Sequence, residues 1–125
     1  MEMNKEEALA RIKAEVMAPD WRLNRRRVEG LRLALAVVSV SLAGRRSLGL
    51  LVEIALVTLA CQDRYGEEAP PAVLDFLKQV LARLADLLED EVVSKERDAE
   101  IFNKVHARFL ELRPLLTSGG RVSKP

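Results

Sequence analysis

Apolar residues dominate the middle of the chain, in two stretches separated by a short polar break. Residues 33–43 and 48–61 are almost entirely apolar, and residues 44–47 (GRRS) lie between them. A membrane-spanning helix needs about 20 consecutive apolar residues, and both stretches are shorter. The second stretch also contains Glu53. The pattern therefore predicts a buried helical hairpin at the centre of a helical bundle rather than a membrane span.

Helical periodicity and capping residues predict five helices. Apolar residues recur at three- and four-residue spacing in each of them, as a helix with one buried face requires. Asn4, Asn24, Ser47 and Ser94 are expected to act as N-caps, since their side chains can accept hydrogen bonds from a first helical turn. The expected helices cover residues 5–17, 25–43, 48–65, 71–93 and 95–113, with Pro19, Gly44, Gly66 and Pro114 at or just beyond their ends.

The five expected helices indicate an all-α, single-domain protein. We predict that it forms an antiparallel bundle of four core helices plus a shorter N-terminal helix. Short connections favour antiparallel packing of helices that are adjacent in sequence. The strand-like alternation at residues 37–42 lies inside a longer helical repeat. The bundle domain is expected over residues 1–116, and the polar residues 117–125 are expected to form a disordered tail.

Length and composition limit the possible classes of protein. A chain of 125 residues is long enough for one domain with a buried core. Its 49% hydrophobic and 31% charged residues are typical of a globular protein. The single cysteine, Cys61, cannot form an internal disulfide, so folding does not require an oxidising compartment. Because the N-terminus has no apolar run typical of a signal peptide, we expect a cytoplasmic protein.

Charge is distributed unevenly, although the net charge is only +1. Residues 11–46 contain nine Lys/Arg and three Asp/Glu, whereas residues 63–100 contain five Lys/Arg and eleven Asp/Glu. The two segments can neutralise each other within the bundle, which is the preferred interpretation. They can also form a basic end and an acidic end, and the sequence leaves both possibilities open.

Arginines are concentrated before and within the second helix and in the break that follows it. Arg25, Arg26 and Arg27 occupy a first helical turn, where the helix dipole disfavours cations. No helix-turn-helix, zinc finger or array of stacking aromatic residues accompanies them, which favours an acidic protein partner or a second copy over nucleic acid. The candidate partner- or anion-binding residues are Arg22, Arg25, Arg26, Arg27, Arg32, Arg45 and Arg46.

His106 is the only histidine and lies at the margin of the apolar face of the last helix. A partly exposed histidine on a bundle helix is typical of histidine-phosphotransfer domains. Those domains usually have a lysine three residues later and a glycine close behind, whereas residues 107–110 here are Ala-Arg-Phe-Leu. A packing or surface histidine is therefore preferred, and phosphotransfer through His106 is the alternative.

No other residue pattern predicts chemistry. A di-iron bundle needs Glu-x-x-His pairs, but Asn103 stands three residues before His106. The acidic residues between 89 and 100 lack EF-hand spacing. Cys61 lies in an apolar helix, where burial raises the pKa of a thiol, and Glu53 should face the rim or pair with an arginine. We predict no catalytic residue, no metal and no cofactor.

The segment 19–24 has the sequence Pro-Asp-Trp-Arg-Leu-Asn and precedes a leucine-rich helix. It resembles the Pro-Asp-Trp-x-Ile/Leu-Ser/Asn motif of a small family of uncharacterised bacterial helical proteins. Members similarly have a leucine-rich hairpin, a helix preceded by proline and a final helix carrying a phenylalanine. The resemblance covers about residues 9–113 and implies a helical fold and a bacterial origin. It supplies no functional residues, because that family has no assigned activity.

Together these patterns predict a non-enzymatic intracellular interaction module whose partner is a protein or a second copy of itself. Self-association is expected because the second and third helices are apolar on more sides than one neighbour can cover. A histidine-phosphotransfer-like signalling bundle is the second hypothesis. A nucleic-acid-binding accessory protein that uses the arginines is the third.

Overall fold

The computed structural model describes residues 3–19, 21–42, 44–90 and 92–117, and it is all-helical over these ranges. The helices are α1 (Lys5–Met17), α2 (Arg25–Ser39), α3 (Arg46–Leu59), α4 (Gln62–Tyr65), α5 (Pro71–Glu89) and α6 (Lys95–Thr117). The described ranges contain no strand, which confirms the all-α prediction. Residues 118–125, most of the predicted tail, lie outside the described residues.

Three of the four predicted N-caps begin helices. Asn4 forms a capping box with Glu7, in which each side chain accepts a backbone N–H of the other residue at 2.8–3.0 Å. The side chains of Asn24 and Ser94 accept N–H groups from the first turns of α2 and α6. The prediction for Ser47 is wrong, because α3 begins at Arg46, two residues earlier than predicted, and the side chain of its N-cap residue Arg45 makes no capping hydrogen bond.

Three predicted helix ends lie too far along the chain. Helix α2 ends at Ser39 rather than at residue 43, since the hydroxyls of Ser39 and Ser41 donate to the carbonyls of Ala36 and Val38 at 2.8 Å. Such bonds offer the backbone an alternative to the helical ladder. Helix α5 likewise ends at Glu89 rather than at residue 93. The predicted third helix is divided into α3 and the single turn α4.

Helix α6 continues through Pro114, where the sequence predicted its end. A proline removes one helical hydrogen bond and crowds the preceding turn, so the extra turn needs other contacts. The hydroxyl of Tyr65 donates to the carbonyl of Leu115 at 2.9 Å, and the guanidinium of Arg64 donates to the carbonyl of Leu116. Leu116 is also buried, so contacts with the rest of the protein hold this turn in place.

Contacts between helices arrange α3, α5 and α6 around a common core. Helix α3 packs against α2, α5 and α6, and α5 also packs against α1 and α6. Helix α1 contacts both α2 and α5, so the contacts do not separate a four-helix core from an N-terminal helix outside it. The core is built mainly from leucine, valine and alanine side chains, and it also contains Phe76 and Cys61.

Candidate functional site

Helices α3 and α6 run side by side in the same direction. Arg45, just before α3, pairs with Asp98 in the first turn of α6, and Tyr65, beyond the end of α3, binds the carbonyl of Leu115 near the end of α6. A residue of α3 and a residue of α6 therefore lie at about the same position along the helix axes when the first follows Arg45, and the second follows Asp98, by the same number of residues. This register determines which side chains of the two helices face each other.

An open groove runs between these two helices, and we call it the α3–α6 groove. Its volume is about 230 Å³. Its lining residues are Leu50, Glu53, Ile54, Val57, Phe102, His106 and Phe109. Val57 is 41% exposed, and Leu50, Phe102 and Phe109 are half-buried, so much of the lining is apolar surface that contacts solvent. Burial of this surface against a partner would remove it from water.

His106 lies within this groove between two phenylalanine rings. Its imidazole stacks on Phe102 with ring centres 5.2 Å apart and on Phe109 with ring centres 6.3 Å apart. The ring is half-buried, whereas Glu53 across the groove is exposed, as the sequence predicted for a rim position. His106 is thus part of the aromatic lining of the groove rather than a separate exposed site.

The seven candidate arginines are not brought together into one site. Arg25 pairs with Glu29, Arg27 with Glu15 on α1, Arg32 with Asp63 at 3.8 Å and Arg45 with Asp98. Arg27 also donates to the carbonyl of Arg22 at 2.8 Å. Arg26 and Arg46 are exposed. Ion pairs within the described part of the chain therefore engage at least four of these guanidinium groups.

Ion pairs connect the basic segment with the acidic segment, as the preferred interpretation of the charge pattern expected. Lys13 of α1 pairs with Glu89 of α5, and the Arg32–Asp63 and Arg45–Asp98 pairs also join residues 11–46 to residues 63–100. The Arg45–Asp98 pair is the most buried of them, since its side chains are 14% and 2% exposed. The two charged segments are thus neighbours in the folded chain.

The Arg45–Asp98 pair joins three helices and was not predicted from the sequence. The guanidinium donates two hydrogen bonds of 3.0 Å to the Asp98 carboxylate and a longer one to the carbonyl of Leu87 near the end of α5. Arg46, Ser47 and Lys95 line a small cavity of about 160 Å³ beside it. Arg45 is therefore a structural residue rather than a free cation for an external ligand.

Cys61 is fully buried, which confirms its predicted place in the core. Burial raises the pKa of its thiol from 9.0 to about 11, although the nearby Arg64 partly opposes this effect. In the unfolded chain the thiol loses its proton near its ordinary pKa of 9.0. Between this pH and about pH 11, the folded state therefore binds more protons than the unfolded state does. Stability that depends on this thiol is therefore lost as the pH rises from about 9 towards about 11.

We expect Cys61→Ala to reduce the loss of stability between about pH 9 and about pH 11, relative to the wild type. Urea unfolding at several pH values measures it, and the wild-type curve at neutral pH provides the reference. The native thiol should also react with a thiol reagent only as fast as the protein opens. Rapid stoichiometric labelling of the folded wild type would contradict the burial of this residue.

In the described part of the chain, no three His, Cys, Asp or Glu side chains are grouped as a metal ion would require. Within the same ranges, no helix has both the length and the hydropathy of a membrane-spanning segment. Comparisons with protein-family models, curated proteins and solved structures gave no match. The resemblance noted for residues 19–24 stays a prediction, and Asp20 within it lies outside the described residues.

The sequence places His106 at the margin of an apolar helix face, but it does not indicate the groove between this face and α3. Phe102 and Phe109 stand four residues before and three residues after His106, which is the spacing of one helix face. Leu50 and Val57 of α3 have a similar seven-residue spacing around Glu53. These spacings indicate a common face on each helix. They do not indicate that the two faces adjoin or that both contact solvent.

Proposed function

We propose that this protein is a non-enzymatic interaction module that associates with a second copy of itself through the α3–α6 groove. The observation that carries the proposal is the open strip of apolar side chains on two parallel helices, which includes Val57, Phe102 and Phe109. Burial of such a strip against a second copy removes apolar surface from water. A contact between identical surfaces also closes into a dimer and does not extend further.

We infer that α2, α3, α5 and α6 form the core of this module and that α1 covers one side. Two contacts support an α5 that packs antiparallel against both α3 and α6. The guanidinium of Arg45 reaches the carbonyl of Leu87, beside the start of α3, and the rings of Phe76 and Phe109 lie 6.3 Å apart at the other end. In this arrangement α5 supports α3 and α6 from one side, and the opposite side carries the groove.

The two alternative functions have weaker support. Phosphotransfer requires a histidine whose ring nitrogen can reach a response regulator, whereas His106 is half-buried and stacked between two phenylalanines. Nucleic-acid binding requires cations free to contact phosphates. Arg25, Arg27, Arg32 and Arg45 instead pair with carboxylates of the same chain.

Substitution of Val57 by lysine tests the proposed surface. Val57 is partly exposed in the groove, so the variant should fold, but a dimer would have to bury the new charge. We expect its dimer affinity to fall at least about tenfold, as for a residue at the centre of an interface. Light scattering coupled to size exclusion measures this loss as a lower average mass.

Val40→Lys is the matched control, because Val40 is 83% exposed near the end of α2 and does not line the groove. We expect its average mass to equal that of the wild type at the same concentration. Far-UV circular dichroism shows whether both variants keep their helices. A folded Val57→Lys variant with the wild-type mass at every concentration would contradict the proposed surface.

A further inference from the structure

The middle of the α3–α6 groove is lined by two polar side chains, one with a carboxylate and the other with an imidazole. Among the described lining residues these are Glu53 and His106, and the others are apolar. Glu53 lies eight residues after Arg45, and His106 lies eight residues after Asp98. Eight residues correspond to about 12 Å along each of the two parallel helices. A carboxylate on one side of the groove therefore stands level with an imidazole on the other side.

We propose that the second copy binds with its two-fold axis parallel to α3 and α6, so that Glu53 of each copy faces His106 of the other. This arrangement rests on the proposed self-association, and it adds the register of the dimer and its regulation by pH. The groove then contains two reciprocal pairs of a carboxylate and an imidazole. Charge complementarity between the two copies thus selects a second copy as the occupant.

The direction of the symmetry axis decides which side chains meet. Rotation about an axis parallel to the helices places α3 of one copy over α6 of the other. Rotation about an axis across the helices places α3 over α3 and α6 over α6, so Glu53 would face Glu53 and His106 would face His106. Like charges placed together cost free energy at an interface, whereas opposite charges fix its register. The parallel axis is therefore favoured.

Apolar residues beyond the charged pair fit the same arrangement. Val57 follows Arg45 by twelve residues, and Phe109 follows Asp98 by eleven, so the parallel axis brings Val57 of one copy close to Phe109 of the other. Val57 is 41% exposed and Phe109 is half-buried, and both line the groove. Their burial next to the Glu53–His106 pairs would exclude water and strengthen those pairs.

Protonation of His106 would control the affinity. The charged group that lines the groove with it is Glu53 on α3. The residues one turn away on α6 (Phe102, Asn103, Phe109 and Leu110) are uncharged. Arg83 of α5 lines a different pocket with Lys104 and Arg108 of α6. An imidazolium facing a carboxylate attracts it more strongly than a neutral imidazole does, so the dimer is tighter in acid.

Sedimentation equilibrium of the full chain at about pH 8 and about pH 5.5 tests the arrangement. We expect the dimer dissociation constant of the wild type to fall about tenfold on acidification. Glu53→Gln should remove this pH dependence and weaken the dimer about tenfold at the lower pH. Glu68→Gln, which removes an exposed carboxylate outside the groove, should behave like the wild type.

A charge reversal gives an independent readout that does not depend on pH titration of histidine. Glu53→Lys and His106→Glu should each weaken the dimer, and the double variant should regain affinity because each lysine then faces a glutamate. Circular dichroism confirms that the variants are folded. An axis across the helices predicts the opposite results, with tighter binding for Glu53→Gln and no recovery in the double variant.

The outcomes separate this inference from the function on which it rests. A dimer that is insensitive to pH and to Glu53→Gln would overturn the Glu53–His106 arrangement and leave self-association through the groove intact. Tighter binding of Glu53→Gln would overturn the arrangement in the same way. A wild type of 14.0 kDa at every concentration and both pH values would overturn the arrangement and the proposed function together.

Discussion

Replacement of Asp98 by alanine is expected to lower the free energy of unfolding by about 3–5 kcal/mol. The carboxylate is 2% exposed and accepts both hydrogen bonds that the guanidinium of Arg45 donates toward α6. Its removal leaves a charged guanidinium in a site where water cannot fully solvate it. Equilibrium urea unfolding followed by circular dichroism measures the loss.

Asp90→Ala is the matched control, because Asp90 also pairs with an arginine, Arg97, but both side chains are much more exposed. A pair of this kind contributes about 0–1 kcal/mol. Replacement of both buried partners, as Arg45→Met with Asp98→Leu, should recover most of the stability. Equal losses for Asp98→Ala and Asp90→Ala would contradict the larger contribution expected of the buried pair.

Replacement of Trp21 by alanine is expected to cost about 3 kcal/mol. The indole packs against the core, and its N–H donates to the backbone carbonyl of Glu15 at the end of α1. The guanidinium of Arg27 lies 5.4 Å from the ring centre, and it also pairs with the Glu15 carboxylate. Trp21 thus fixes the loop between α1 and α2 to both helices.

Trp21→Phe separates the ring from its hydrogen bond. Phenylalanine keeps most of the aromatic surface but lacks the N–H donor, so a loss of only about 1 kcal/mol is expected. Chemical unfolding of both variants, followed by circular dichroism because the only tryptophan is removed, measures the difference. A loss below about 1 kcal/mol for Trp21→Ala would show that the indole contributes little to this attachment.

The sequence was sufficient for the starts of α1, α2 and α6, because their capping signals are local. Asn4, Asn24 and Ser94 each bond to a backbone N–H three residues later, within one turn. Helix ends were predicted less well, because long-range contacts decide some of them. The turn after Pro114 depends on Tyr65, which is 50 residues away from Leu115. No local pattern indicates such a bond.

The candidate site could be predicted only in part, for the same reason. The apolar character of α3 on nearly all sides is visible in the sequence, and so is the position of His106 beside two phenylalanines. The parallel register of α3 and α6 depends on the Arg45–Asp98 pair, whose partners are 53 residues apart. Which face of α3 stays uncovered follows from that packing and not from periodicity.

Sedimentation equilibrium of the wild-type protein across micromolar concentrations tests self-association most directly. The average mass should rise with concentration from 14.0 kDa for the single chain towards twice that value for the dimer, and dilution should reverse the rise. The Val57→Lys variant, measured under the same conditions, should stay closer to the mass of a single chain. A wild-type mass of 14.0 kDa at every concentration would contradict self-association through the α3–α6 groove.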